Sequence, residues 1–88
     1  MEKPLREKVE EALREAVGED AKIVLDEDTG QVGGFVLSGS FAPLSPSARQ
    51  DLIWDKLDLR LTPFERTRIT FIITDTPEEY AALEDAGE

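Results

Sequence analysis

The first part of the chain carries a single apolar stripe at helical spacing. Apolar residues recur at intervals of three and four between Leu5 and Val17, a pattern typical of an amphipathic helix. Pro4 suits the first turn of such a helix, and Gly18 suits the position just after its end. The stripe consists of Leu5, Val9, Ala12, Leu13, Ala16 and Val17.

Two short runs rich in β-branched residues follow. Residues 21–26 and 34–40 each predict a strand. The polar residues 27–31 between them predict a turn, in which Gly30 can adopt a positive φ. Gly39, within the second run, indicates a bulge or a close backbone approach. The two runs therefore predict a hairpin.

A hydroxyl residue precedes proline at three later positions, and each pair predicts the start of a helix. In Thr62-Pro63 and Thr76-Pro77, glutamate follows at the third helical position and completes a capping box. The third pair is Ser45-Pro46. The predicted elements are a helix Pro46–Arg60, a single helical turn near residues 63–67 and a short helix over residues 77–83.

Residues 68–74 predict a third strand. Their side chains point alternately to the two faces of the strand, which places Ile69, Phe71 and Ile73 on one face. The complete order is α-β-β-α-α-β-α without an internal repeat, which indicates one small α+β domain.

The second helix has two apolar stripes instead of one. The first contains Ile53, Leu57 and Leu61, with Trp54 at its margin. Ala48, Leu52 and Leu59 form another, about 140° away at 3.6 residues per turn. A helix wedged between a sheet and a second helix shows this pattern, and so does a helix with a partner-facing patch. In so small a domain the wedged arrangement is the prediction.

The composition excludes several kinds of chemistry. The chain has no histidine and no cysteine among its 88 residues. It therefore lacks imidazole, thiolate nucleophiles and the two commonest transition-metal ligands. No carboxylate pair is accompanied by a recognisable nucleophile or oxyanion donor. We predict no catalytic site, no metal site and no cofactor.

The net charge is negative, and the acidic residues are unevenly distributed along the chain. The net charge is −10, and residues 75–88 contain six acids without a basic residue. This field repels phosphate backbones, which disfavours nucleic acid as a partner. No apolar stretch is long enough to span a membrane, and no apolar leader is visible. A cytoplasmic protein is the expectation.

Two short motifs superficially suggest ligand sites. The sequence from Asp26 to Gly30 starts like a calcium loop, but Gln31 and Leu37 stand where that loop needs glycine and glutamate. The sequence from Gly30 to Gly33 matches the GxxG of RNA-binding KH domains only as a string, because that clamp lies between the two central helices. An acidic hairpin turn explains the first motif, and the chance spacing of turn glycines explains the second.

Three segments together resemble the BolA family, whose fold is of the type II KH-like kind. The family has a Ser-x-x-Phe strand end, here Ser38 to Phe41, and a helix that begins with arginine eight residues later, here Arg49. It ends in Thr-x-Thr-Pro-Glu-Glu-aromatic, here residues 74–80. The resemblance implies a BolA-like domain over residues 1–83, with a three-stranded mixed sheet covered by helices, and an acidic tail over residues 84–88.

The departures from the family pattern concern its histidines. Gln50 stands where the family has histidine in its Arg-His-Arg helix start, and Asp51 replaces the second arginine. Arg68 stands where the family has the histidine that opens the third strand. In the family that histidine helps to ligate an iron–sulfur cluster shared with a monothiol glutaredoxin. A guanidinium keeps its proton and donates hydrogen bonds, so we expect no cluster ligation here.

The remaining prediction is a non-enzymatic interaction or regulatory module that binds another protein. A cluster-free contact with a monothiol glutaredoxin-like partner is compatible with the resemblance. One alternative is a nucleic-acid-binding regulator, which requires the basic residues of 56–68 to converge, and another is a homo-oligomeric structural domain. Ion pairing with Asp55, Asp58 and Glu65 is the competing explanation of those basic residues. The candidate partner-binding residues are Arg49, Trp54, Lys56, Arg60, Arg66 and Arg68.

Overall fold

A computed structural model describes residues 3–86. Its elements follow the predicted order, and the second helix has the predicted bounds. No helix within this range is long and apolar enough to cross a membrane. The elements are α1 (Leu5–Val17), β1 (Lys22–Asp28), β2 (Gln31–Leu37), a 3-10 turn (Gly39–Phe41), α2 (Pro46–Arg60), α3 (Pro63–Arg66), β3 (Ile69–Asp75) and α4 (Pro77–Ala86).

The three strands form one mixed sheet in the order β1-β2-β3. β1 pairs antiparallel with β2, and β2 pairs parallel with β3. The hairpin turn has positive φ at Thr29 (50°) and Gly30 (78°), the conformation of a two-residue turn that matches strand twist. Both strands continue to this turn, so β1 ends two residues later and β2 begins three residues earlier than predicted.

The end of β2 differs from the prediction. β2 ends at Leu37, and the segment predicted to continue as strand to Ser40 is instead the 3-10 turn. The cause of this turn is local: the Ser38 hydroxyl accepts a hydrogen bond from the Ser40 amide at 3.1 Å and caps the turn. Phe41 is thereby directed into the core, where it is fully buried.

The core lies between the sheet and the two long helices. α1 and α2 pack against each other and against one face of the sheet, here named the inner face. This confirms the wedged position of α2, although Leu59 of its second stripe is 79% exposed. The buried apolar residues are Val9, Ala12, Leu13, Val17, Ala21, Val32, Val36, Phe41, Ile53, Leu57, Leu61 and Ile72.

The predicted apolar face of β3 is wrong. A register shift lies between Val32 and Gly33, where Val32 pairs with Ile69 but Gly33 pairs with Phe71. The extra residue, Thr70, reverses the alternation. Ile69 therefore packs against the core, whereas Phe71 is directed to the opposite face of the sheet. That opposite face is named the outer face.

The last helix is longer than predicted. α4 reaches Ala86 instead of ending near residue 83. Three residues assigned to the acidic tail are therefore helical, and residues 87–88 lie outside the described part of the chain.

Candidate functional site

Arg49 is the most highly connected polar side chain of the domain. It is only 6% exposed. Its Nε donates to the carbonyl oxygens of Phe41 and Leu44, both at 3.0 Å, and Nη1 donates to the carbonyl of Thr74 at 3.3 Å. Nη1 and Nη2 also donate to the two carboxylate oxygens of Glu79, at 2.6 and 3.0 Å. The described hydrogen bonds of this guanidinium all lie within the domain. The partner-binding role of Arg49 therefore stays a prediction and is not used in the proposal below.

Glu79 serves two structural roles at once. Its Oε1 accepts a hydrogen bond from the Thr76 amide at 2.9 Å, and its own amide donates to the Thr76 hydroxyl at 3.1 Å. The predicted capping box of the last helix is thereby confirmed, as is that of α3. The Arg49 hydrogen bonds, followed by the Thr76 amide, lower the pKa of Glu79 from 4.5 to about 2.

This depressed pKa predicts a pH-dependent stability. The unfolded chain binds a proton on this carboxyl near pH 4.5, and the folded chain does so only near pH 2. The stability that Glu79 contributes is therefore complete above pH 4.5 and is lost as the pH falls towards 2. We expect urea unfolding between pH 6 and 2.5 to show a shallower decline for Glu79→Gln than for the unmodified protein.

Other carboxylates titrate in the same window, so the comparison needs a control. Lys8 hydrogen-bonds Glu65 and lowers the pKa of that carboxyl as well. The matched control is Glu78→Gln, one residue earlier and exposed, which should keep the full acid sensitivity. Equal slopes for the two variants would contradict the role given to Glu79.

Gln50 links α2 to β3. Its Nε2 donates to the carbonyl of Ile72 at 2.9 Å and to the hydroxyl of Thr74 at 3.2 Å, and its Oε1 accepts from Trp54 Nε1 at 3.2 Å. Trp54 is half-buried and packs against the core, which confirms its predicted place at the core margin. Sequence spacing does not indicate the Gln50 contacts, because Ile72 and Thr74 are more than twenty residues away.

Arg68 joins three separate parts of the structure. It immediately precedes β3, and its backbone carbonyl accepts from the Val32 amide at 2.9 Å. Its guanidinium carbon lies 5.0 Å from the centre of the Phe64 ring, within cation–π range. Nη1 lies 3.4 Å from the position that a Cβ on Gly30 would occupy. The side chain thus reaches from α3 to the hairpin turn.

The other predicted basic residues do not form one acid-free patch with Arg68. Arg60 pairs with Glu15 of α1, and Arg66 pairs with Asp58 at 3.3 Å. Lys56 is half-buried on α2. The expected ion pairing is confirmed for Asp58, whereas Glu65 pairs with Lys8 at 2.8 Å. Neutralised cations contribute little to phosphate binding, so these contacts do not favour the nucleic-acid alternative.

No family model and no curated protein sequence matches this chain. Among solved structures, the crystal structure of a Bol-like protein from Babesia bovis superposes with a TM-score of 0.60 at 20% sequence identity. The match covers 90% of this chain and 92% of that chain. This chain has the BolA-like fold. The predicted α+β architecture with a three-stranded mixed sheet is therefore confirmed.

The BolA-like fold explains why the three motif segments occur together. Arg49 binds the carbonyl of Phe41 in the first segment and the carbonyl of Thr74 and carboxylate of Glu79 in the third. The motifs therefore meet at one buried guanidinium, although they are separated along the chain. They report the structural centre of the fold, and carry no information about a ligand.

The residues at the family's cluster position do not fit an iron–sulfur cluster. A cluster needs thiolate or imidazole ligands, and the chain has neither cysteine nor histidine. Arg68 contributes a protonated guanidinium, and the adjacent turn contributes Asp28, Thr29, Gly30 and Gln31. Such a set is suited to hydrogen bonds and to aromatic contact instead.

Proposed function

We propose that this BolA-like protein is a small, non-enzymatic interaction module that binds another protein without ligating an iron–sulfur cluster. The observation that carries the proposal is the placement of Arg68 over Phe64, beside the hairpin turn. We name Arg68, Phe64 and the turn Asp28–Gln31 the Arg68 surface.

The chemistry of the Arg68 surface suits a protein partner. Phe64 is 66% exposed, which is unusual for a large aromatic side chain. Arginine and aromatic residues are enriched among the residues that dominate protein–protein binding energy. Arg60 and Arg66 are held in ion pairs, whereas none of the carboxylates described within residues 3–83 forms an ion pair with Arg68. Arg68 is therefore the basic side chain best suited to meet an acidic or aromatic group on a partner.

The first partner to test is a monothiol glutaredoxin. Its purified apoprotein would be titrated with this chain by calorimetry, and a parallel pull-down from native lysate would search for other partners. We expect binding without a cluster, and no visible iron–sulfur absorbance after reconstitution. Arg68→Glu and Phe64→Ala should each weaken binding by about tenfold or more, as expected for residues central to an interface.

Arg6→Glu is the matched control, because Arg6 is an exposed arginine on α1. It makes the same charge change away from the Arg68 surface and should leave the affinity unchanged. Equal binding by Arg68→Glu and Arg6→Glu would contradict the proposal. So would the failure of both assays to recover a specific partner, or binding that requires a cluster.

A further inference from the structure

The outer face of the sheet carries an apolar row that crosses all three strands. Val24 pairs with Phe35, and Phe35 pairs with Ile73, so the three side chains lie side by side. Ile73 is 48% exposed and Val24 is 38% exposed. A row of large apolar side chains open to solvent indicates a surface that another molecule covers.

The helices leave most of this face open. α1 and α2 pack on the inner face. On the outer face, Tyr80 of α4 stacks on Phe35 with ring centres 5.3 Å apart. This contact covers one side of the middle residue of the row and leaves Val24 and Ile73 partly exposed. Phe71, in the neighbouring row, stays 55% exposed.

Beside the apolar row lies a depression of about 270 Å³. Its floor is Gly33, which pairs with Asp26 on one side and Phe71 on the other. A Cβ on Gly33 would lie 2.6 Å from Thr70 Oγ1 and 3.0 Å from the Phe71 ring. The absent side chain is therefore what keeps the depression open between a carboxylate and an aromatic ring.

The charged residues that line the depression are both acidic. Asp26 and Asp28 both line it, and Gln31 adds a polar side chain. Both aspartates are exposed, and neither forms an ion pair with a side chain described within residues 3–83. A guanidinium or ammonium group in the depression would meet two carboxylates and the aromatic ring of Phe71, a combination that favours a cation.

We propose that the outer face binds an extended segment of a partner protein in which a basic residue alternates with aliphatic ones. The basic side chain occupies the depression, and the aliphatic side chains cover the row of Val24, Phe35 and Ile73. Alternate residues of an extended chain point to the same side, so one segment satisfies both requirements.

The negative charge favours a basic segment over three other possible occupants: nucleic acid, anionic lipid and a second copy of this chain. Asp26 and Asp28 repel nucleic acid and anionic lipid, whose phosphates would have to approach them. A second copy of this chain would bring another net charge of −10 against the first. Only a basic, aliphatic segment complements both the acidic depression and the apolar row.

The probe is a fluorescein-labelled synthetic peptide of the pattern Arg-Ser-Ile-Ser-Leu, titrated by anisotropy and by amide NMR shifts. We expect a Kd below about 1 mM and an affinity that weakens as the salt concentration rises. The amide NMR shifts should be confined to residues of the outer face. Glutamate in place of the arginine, or serine in place of both aliphatic residues, should abolish binding. The double variant Asp26→Asn, Asp28→Asn should weaken binding about tenfold, and Ile73→Thr should also weaken it.

Glu27→Gln is the matched control, since Glu27 lies between the two aspartates but alternates away from the outer face. It should bind the peptide like the unmodified protein. Absence of binding at 1 mM peptide would overturn the proposal, as would equal binding by the double variant. The proposal would also be overturned if single-stranded DNA or anionic vesicles shifted the same amide resonances. Self-association that Ile73→Thr abolishes would overturn it as well. Asp28 belongs to both surfaces, so the two proposals are distinguished by their other variants. Arg68→Glu and Phe64→Ala test the Arg68 surface with a folded partner, whereas Ile73→Thr tests the outer face alone, and a failure here does not decide the Arg68 proposal.

Discussion

Gly34→Ala is expected to remove most or all of the folded protein. Gly34 lies in the central strand, opposite Leu25 of β1, and a Cβ there would overlap the carbonyl group of Val24 and lie 2.9 Å from Leu25 Cα. The clash is with backbone, which cannot rotate away, so β1 must separate from β2. We expect a loss of about 3 kcal/mol or more in the free energy of unfolding, a large part of a small domain's stability.

Gly39→Ala is the control for this prediction. No atom lies within 4 Å of the position that its Cβ would occupy, so its effect should stay within about 0.5 kcal/mol. Urea unfolding followed by circular dichroism measures both variants. A Gly34→Ala protein as stable as Gly39→Ala would show that β1 does not approach β2 as closely as described.

Arg49→Lys should also be severely destabilising, although it preserves the charge. Five hydrogen bonds run from the Arg49 guanidinium to Phe41, Leu44, Thr74 and Glu79. An ammonium group has three donors at a single point, so it cannot reach all of these acceptors. Buried carbonyls left without donors are costly. We expect the melting temperature to fall by more than about 10 °C for a domain of this size.

The same substitution at Arg60 provides the comparison. Arg60 belongs to the same helix but is exposed and has a single ion-pair partner, Glu15. Exposed ion pairs contribute little to stability, so Arg60→Lys should leave the melting temperature nearly unchanged. A small effect at both positions would contradict the central structural role of Arg49.

The predictions that succeeded depend on neighbouring residues. Ser45-Pro46 and Thr76-Pro77 mark helix starts because the capping hydroxyl and the amide it binds lie three residues apart. The bounds of α2 follow from the same local chemistry. Gly30 was placed in the hairpin turn because its position requires a positive φ.

The predictions that failed depend on contacts between residues that are far apart in the sequence. The alternation of Ile69, Phe71 and Ile73 predicts a shared face, but pairing with β2 inserts Thr70 as a bulge and separates Ile69 from the other two. Arg49 is predicted to bind a partner, and that role stays a prediction, but the sequence does not indicate the hydrogen bonds that Arg49 makes within the domain. Its acceptor on Glu79 lies thirty residues away, a relation that spacing cannot express.

The candidate sites show the same contrast between what the local sequence determines and what contacts between distant segments determine. The absence of histidine and cysteine is a property of the sequence alone, and it removes the usual cluster ligands whatever the fold. The sequence also determined the elements and their order, because caps, turns and periodicity act over a few residues. The contact of Arg68 with Phe64 spans only four residues, but only the tertiary structure brought Arg68 beside the hairpin turn and opened the outer face beside Gly33. Both depend on strand register, which is fixed by packing between segments far apart in the chain.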